Sequence, residues 1–564
     1  MRLNFLFISI FSTFTVSSQL PSFKLGGLSR ALSNTAHLSK EDTSNTDISQ
    51  DFNIVFDLAI DGKLNKYVNL YSELRLGSNL EVFDTSSSYL KVRRLLIFGD
   101  LSNDFSFELG DIDLIMTPFT LWNSVEEGNV NESNLFTNLR EIQQYENFNY
   151  GNLWRRQGAT VFGKKSLLGK DSLIYKVFGT RELASNEVSI PDIFLYGGNV
   201  GLASENYSLG FNYINLFTNN KSISIDTNIH NHVVSSTASL NFKKIELNAE
   251  AGISKLSNNF SNLSSKWVDG EFFSFGLNAQ LTKNIIYSLS FRSVSDDFSS
   301  PGAQSKRINY SLTPNLFPTV GNNSIARNIN ANEIISDINF FRSQSIYNRT
   351  ISYGLDEYNP VFGVAEPYGV STPNRRGVTM GFDYKDTSKI FIFKGVFSYL
   401  NDLTGEGVND KRNYYSYTLS SDFLINKVLK FNNTILLKAG YHLSNSNREH
   451  APQMFVEDVN YNNSILDIGL DFEFFENFHL LFGHKNIISK GVDYLPVRDQ
   501  NFSISSFNKW ESDLNQKISS VGLMYEFNDN SNLLVNYHSM NYNDNLSDIN
   551  FRINQFFILV QIKF

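Results

Sequence analysis

The sequence predicts an all-β chain closed into a single transmembrane antiparallel β-barrel of about 22 strands, within about 18–24. Three observations predict it. Apolar residues recur at every second position in segment after segment. Tight polar turns alternate along the chain with long polar segments. No stretch approaches the ~18–20 consecutive apolar residues that a membrane-crossing helix needs.

A strand places successive side chains on opposite faces, so a period of two means one apolar and one polar face. A first strand is expected over residues 22–33. Phe52, Ile54, Phe56, Leu58 and Ile60 alternate with Asn53, Asp57 and Asp61. Val68, Leu70, Leu74 and Leu76 alternate with Glu73 and Arg75. Ile245, Leu247, Ala249 and Ala251 alternate with Glu246, Asn248 and Glu250, and Phe273, Phe275 and Leu277 with Ser274 and Asn278. The cleanest case sets Leu466, Ile468, Leu470, Phe472 and Phe474 against Asp467, Gly469, Asp471 and Glu473. Val521, Leu523, Tyr525 and Phe527 repeat it. The last strand has Phe556, Ile558, Val560, Ile562 and Phe564 on one face. Alternation slips at 92–97, 183–200 and 222–236. A soluble β-sandwich would also alternate. Strands of about 10–14 residues joined by very short turns favour the membrane barrel.

The turns set the topology. Tight ones are expected at 62–66, 102–104, 169–171, 204–206, 243–244, 282–284, 387–389, 426–427, 476–477 and 528–531. Ten hairpins, one strand before them and one after close on about 22 strands, an even number with both termini on the tight-turn side. The other side carries long segments at 117–157 and 299–375 and shorter ones at 402–411, 445–462, 489–513 and 541–550.

Composition agrees. The chain has 49 Phe, 26 Tyr, 11 Pro and no Cys, so a disulfide framework and a lipoprotein anchor are excluded. Mean hydropathy is -0.23, as an apolar outside with a polar lumen and loops requires. The net charge of -9 leaves no basic stripe for nucleic acid. The 564 residues show no linker or composition shift, so one barrel is expected over 19–564. Ahead of it, Met1-Arg2, an apolar run over 3–16 and Val16-Ser17-Ser18 before Gln19 read as a cleaved signal peptide over 1–18.

Inward strand positions carry both signs: Asp57, Asp61, Glu73, Glu246, Glu250, Asp383, Asp467, Asp471 and Glu473 against Arg75, Arg292, Lys385 and Lys438. Charges on a pore wall bias which solutes pass. A salt-bridged interior without selectivity is the plainer reading of the same residues. A barrel of about 22 strands encloses a wide lumen, and barrels of that size are plugged. The expected first strand follows the signal directly, so the plug is expected from 117–157 and 299–375. Trp122, Arg140, Trp154, Arg155 and Arg156 mark the first of these, with Tyr145, Phe148 and Tyr150. The guanidinium forks of Arg140, Arg155 and Arg156 suit an anion. Glu126, Glu127, Glu132, Glu141 and Glu146 are their expected structural partners.

Catalysis is not expected. The sequence holds no GxSxG, HExxH, P-loop or zinc ribbon. His230 and His232 share a strand face but lack a third ligand. The Asp- and Asn-rich residues 541–550 lack the spacing of a calcium loop. No cofactor or metal is expected. Tyr207, Phe217, Tyr384, Tyr399, Tyr415 and Tyr525 are candidates for aromatic girdles.

The signal peptide, the missing Cys, the aromatic alternating strands and the terminal Gln561-Ile562-Lys563-Phe564 together resemble large porin-like outer-membrane proteins of Gram-negative bacteria. The wealth of Asn, Ser, Ile, Lys and Phe looks like the Bacteroidota versions. The resemblance implies the cell outer membrane, contact with its lipid, and a terminal aromatic strand read by the barrel assembly machinery. It names no site residue. Two functions stay open: a channel for small solutes, and an occluded barrel serving a secretion, uptake or motility complex through a protein partner.

Overall fold

The computed structural model describes residues 21–40, 46–79, 88–122, 132–146, 155–167, 169–183, 192–219, 228–259, 266–304, 315–320, 327–330, 355, 360, 364–449, 457–498, 504–546 and 549–564. The signal segment 1–18 lies outside them, as do Glu126, Glu127, Phe148, Tyr150 and Trp154.

In chain order the strands are β1 Ser22–Lys40, β2 Thr46–Lys63, β3 Val68–Asn79, β4 Ser88–Ser102, β5 Phe105–Asp113, β6 Arg155–Ser166, β7 Ser172–Leu183 and β8 Asp192–Ala203. Then come β9 Tyr207–Asn219, β10 Asn228–Phe242, β11 Ile245–Asn259, β12 Lys266–Gln280, β13 Ile285–Val294, β14 Asn315–Val320, β15 Arg327–Asn330 and β16 Arg375–Lys385. The last are β17 Phe391–Asn401, β18 Asn413–Leu424, β19 Ile435–Arg448, β20 Val459–Phe475, β21 Phe478–Arg498, β22 Ile504–Asn528, β23 Ser531–Asp544 and β24 Ile549–Lys563. β14 and β15 pair only with each other; the other 22 strands form one antiparallel sheet. It closes where β1 pairs β24, from Leu28 opposite Lys563 to Lys40 opposite Phe551. Closure leaves no sheet edge, as a membrane requires.

All ten expected turns fall between consecutive strands on one side of the barrel. At the turn after β20, Asn477 takes a left-handed φ of 65°, which asparagine tolerates. Strand lengths depart from expectation. β1 runs on to Lys40 instead of ending near residue 33. β21 and β22 hold 21 and 25 residues. Much of 489–513, read as a loop, is therefore paired strand, and the same holds for the flanks of 445–462 and 541–550. Polar residues on both faces removed the period-two signal there without removing the ladder. At 92–97 the slip is a bulge: Glu73 faces Arg94 and Leu74 faces Val92, so the extra Arg93 shares the inner side with Arg94.

The two faces differ as expected. Leu466 and Ile468 are 36% and 37% exposed on the outside, while Asp467 between them is fully buried inside. The outward row of β24 includes exposed Phe556, Ile562 and Phe564. Tyr207, Tyr384 and Tyr525 stand next to tight turns, and Phe217, Tyr399 and Tyr415 near the opposite strand ends. Tyr399 packs on Tyr415 at 5.0 Å, and Tyr525 on Phe478 at 4.5 Å.

Candidate functional site: the barrel lumen

Between β5 and β6 the chain forms a helix, α1, Asn134–Glu146. It meets Asp57 of β2, Arg93 of β4, Asp467 and Asp471 of β20 and Met524 of β22. One short helix can reach strands so far around the ring only from the concave side, so α1 lies in the lumen.

Its wall-facing side is apolar. Leu135, Phe136 and Ile142 are buried in one cluster with Leu32, Leu38, Ile465, Ile518, Met524 and Phe557. Each such side chain contributes about 1.5–3 kcal/mol by leaving water. The wall beneath is trimmed to receive it. Gly469 and Gly483 face each other across β20 and β21. A Cβ at Gly469 would stand 2.5 Å from Cα of Ser133, and one at Gly483 2.5 Å from its Oγ. A Cβ at Gly522 would meet Leu135 at 2.9 Å.

Polar clamps hold both ends. At the first turn, Ser133 N donates to Asp467 Oδ1 at 3.0 Å and Asn134 Nδ2 to Asp471 Oδ2 at 2.6 Å. Lys485 Nζ sits between Glu132, at 2.9 Å, and Asp467, at 3.2 Å. At the last turn, Tyr145 Oη donates to Asp57 Oδ2 at 2.7 Å. Arg93 donates to the Tyr145 carbonyl at 2.9 Å, where a helix favours a cation, and pairs with Asp57. Arg75 forks onto Asp57 with two bonds of 2.7 Å. Glu73 pairs with Arg93 at 3.2 Å. Burial holds the Tyr145 phenol well above its usual range, so it stays a donor.

Three further segments fold in at the loop side. Thr117 donates to Glu250 of β11 at 2.7 Å, and the backbone of Trp122 to that of Gly302 at 2.9 Å. Residues 364–374 are held by Gln304, bonded to the Ser371 carbonyl at 2.8 Å, and by Glu366, paired with Arg292 of β13. Residues 402–412 are pinned by a buried cage. Asp402 takes Arg375 at 2.9 Å and Arg412 at 3.0 Å, while Glu406 takes Arg412 and, at 3.2 Å, Arg498. Burial pushes the Glu406 carboxyl up, but Arg412, Arg498 and Arg375 outweigh it and hold it below its usual range. Beside the cage opens a cleft of about 650 Å³, counted out to open solvent, lined by Tyr368, Arg375, Glu406, Arg412, Arg498 and Asn508 among others.

The opposite arc is different. Directly paired residues share a face, so inner rows read off the register. Glu246, Asn278, Ser288 and Gly381 form one. Asp383, Lys394, Ser420 and Gly440 form another, which continues into Asp467 and Lys485. Glu246, Asp383 and Lys394 are exposed. The lumen thus has one apolar arc covered by α1 and one small, polar arc open to water.

Of the expected wall charges, Asp57, Glu73, Arg75, Asp467 and Asp471 gather around α1, and Glu250 and Arg292 meet inward loops. Glu246, Asp383 and Lys438 line the inner rows, and Glu473 accepts from the Thr434 backbone at 3.3 Å near a turn. Arg156 corrects an expectation. It belongs to β6 and is buried against Glu182 of β7 at 2.5 Å, a strand-to-strand pair. Glu132 pairs with Lys485 of β21. The side chains of Arg140, Arg155 and Glu146 lie outside the described residues. His230 and His232 stack at 6.3 Å on the outer face, since Asn231 between them bonds inward to Ser299. Arg93, Lys485 and the cage residues Arg375, Asp402, Glu406, Arg412 and Arg498 were not singled out as site residues by the sequence, although the slip at 92–97 pointed at the first; Tyr145 was expected among the plug-loop aromatics.

No model of a known protein family matches the chain, and no curated protein matches it. Solved structures similar to it include OccK11 (OpdR) of Pseudomonas aeruginosa, at 9% identity over 96% of both chains with a TM-score of 0.34. Another is OccAB4 of Acinetobacter baumannii, at 11% identity over 96% of this chain and 98% of the other, with a TM-score of 0.29. A third is the FrpB iron transporter of Neisseria meningitidis, at 11% identity over 96% and 82%, with a TM-score of 0.45. At these values none of them transfers a solute or a mechanism to this chain.

Proposed function

We propose that the chain is an outer-membrane channel for small solutes, with the tight turns facing the periplasm and the loops facing outside. The polar arc of the lumen carries this reading. Its inner rows hold Ser, Asn and Gly with exposed Glu246, Asp383 and Lys394, so water and solutes meet hydrogen-bonding side chains along that wall. The covered arc then serves as a partition: α1 and the inward loops narrow a barrel that would otherwise be very wide.

The test is single-channel conductance of the refolded chain from Gln19 onward in a planar bilayer. Steady openings support the channel. A folded but silent barrel favours a second reading, the occluded scaffold of a larger complex, which the two clamps on α1 also suit. Co-purification with a surface or periplasmic protein then becomes the deciding measurement.

A further inference from the structure

The side of α1 turned away from its apolar contact carries a charge that the clamps do not use. Helical residues advance about 100° each. Glu141 stands about 140° around the helix from the mean direction of Leu135, Phe136 and Ile142, on the flank that also carries the clamp residues Asn134 and Tyr145. Its side chain is exposed, whereas Ile142 beside it is buried. Two wall cations act on it: Lys563 of β24, a strand that also seats α1 through Phe557, and Lys438 of β19, the neighbour of β20. Enclosure within the barrel holds the Glu141 carboxyl above its usual range, and these two cations pull it back.

We infer that Glu141, projected into the lumen by α1 and flanked by Lys438 and Lys563, is the residue that sets the charge preference of the solute path. This rests on the channel reading above. Its carboxylate favours cationic solutes over anionic ones along α1, and Lys438 acts in the opposite sense. A charge in such an enclosed passage is screened less than one on an open surface, so a single residue suffices to tilt selectivity.

The full chain lacks Cys, which gives a direct test. Glu141→Cys is reconstituted in planar bilayers under a potassium chloride gradient. It is then treated with a cationic or an anionic thiosulfonate, and reversal potentials give the cation-to-anion permeability ratio. Relative to wild type, Glu141→Gln is expected to lower the ratio about two- to fivefold, and Lys438→Gln to raise it. On Glu141→Cys, the cationic reagent lowers the ratio further and the anionic reagent restores it. Channels that conduct normally with an unmoved ratio in all these states overturn the inference and leave the channel standing. A thiol that neither reagent reaches in the open channel overturns it too. A wild-type barrel that never conducts removes the channel reading itself, and the inference with it.

Discussion

Tyr145, in the last turn of the lumenal helix, donates its phenol hydrogen to Asp57 on β2 at 2.7 Å, across 88 residues of sequence. Asp57 also accepts the fork of Arg75 and pairs with Arg93, which reaches back to the Tyr145 carbonyl. The end of the helix and three consecutive wall strands thus share one carboxylate. A hydrogen bond to a charged acceptor contributes about 1.5–3 kcal/mol. Tyr145→Phe is expected to lower the unfolding free energy in urea by that amount and to leave the barrel closed. An unchanged urea midpoint would mean that Arg93 alone holds the helix end.

The glycine seat gives a sharper prediction. At Gly469 the obstacle to a side chain is the backbone of Ser133, which cannot rotate away. Gly469→Val is expected to lift the first turn of α1, breaking the bonds to Asp467 and Asp471 and uncovering the apolar arc. Limited proteolysis within 123–154 should then speed up while the barrel keeps its heat-modifiable mobility. Gly276 offers the control, because a Cβ there meets nothing closer than 3.8 Å.

Whether α1 moves is open to a covalent test. The Ser133 Cβ lies 3.2 Å from a Cβ built at Gly483, close to the ~3.5–4.5 Å that a disulfide spans. Ser133→Cys with Gly483→Cys is expected to oxidise after a shift of a few tenths of an ångström. Burial of Leu135, Phe136 and Ile142 and clamps at both ends make α1 a fixed strut. Oxidised and reduced forms should therefore conduct alike. A conductance that rises on reduction would show that the helix swings open.

Much of the barrel was legible because its causes are local. The alternation around Leu466 and Asp467 follows from one face in lipid and one in the lumen, and each turn from a few polar residues. Residues 117–157 and 299–375 were expected to fill the lumen, but which side chains meet there was not legible, because the causes are distant: Ser133 and Asp467 meet across 334 residues. Gly469 and Gly483 register in the sequence only as missing side chains. On β1 and β24 the inner face is apolar as well, with Leu32, Leu38, Phe557 and Leu559 buried there. Periodicity marks two faces, but a helix packed inside reverses the rule that the inner one is polar.

Acid should loosen the loop-side cage in a defined window. The Glu406 carboxyl is held below its ordinary 4.5, so the stability it contributes is fully present above that pH. It is lost as pH falls through the lower folded value. Glu406→Gln leaves Arg412 and Arg498 without that charge, a buried break that costs about 3–5 kcal/mol at pH 7. Urea unfolding across pH should show the gap between the wild type and the variant shrinking as pH falls below 4.5. A gap that does not shrink at any pH down to acid unfolding would assign the loss to packing rather than to charge.

The closing strand ends in a contact that separates structure from export. Phe564 stacks on Phe56 of β2 at 5.4 Å, and its backbone exchanges hydrogen bonds with Gly27 at 3.0 and 3.2 Å. Phe56→Ala and Phe564→Ala remove the same stack, so refolded barrels of both should lose similar stability, about 1–3 kcal/mol for an exposed aromatic facing lipid. The expectation that the assembly machinery reads the closing strand concerns Phe556, Ile558, Val560, Ile562 and Phe564, and not Phe56. In cells, Phe564→Ala should therefore lower the amount of inserted barrel well beyond what Phe56→Ala does. Equal losses would reduce Phe564 to a packing residue at the seam between β1 and β24.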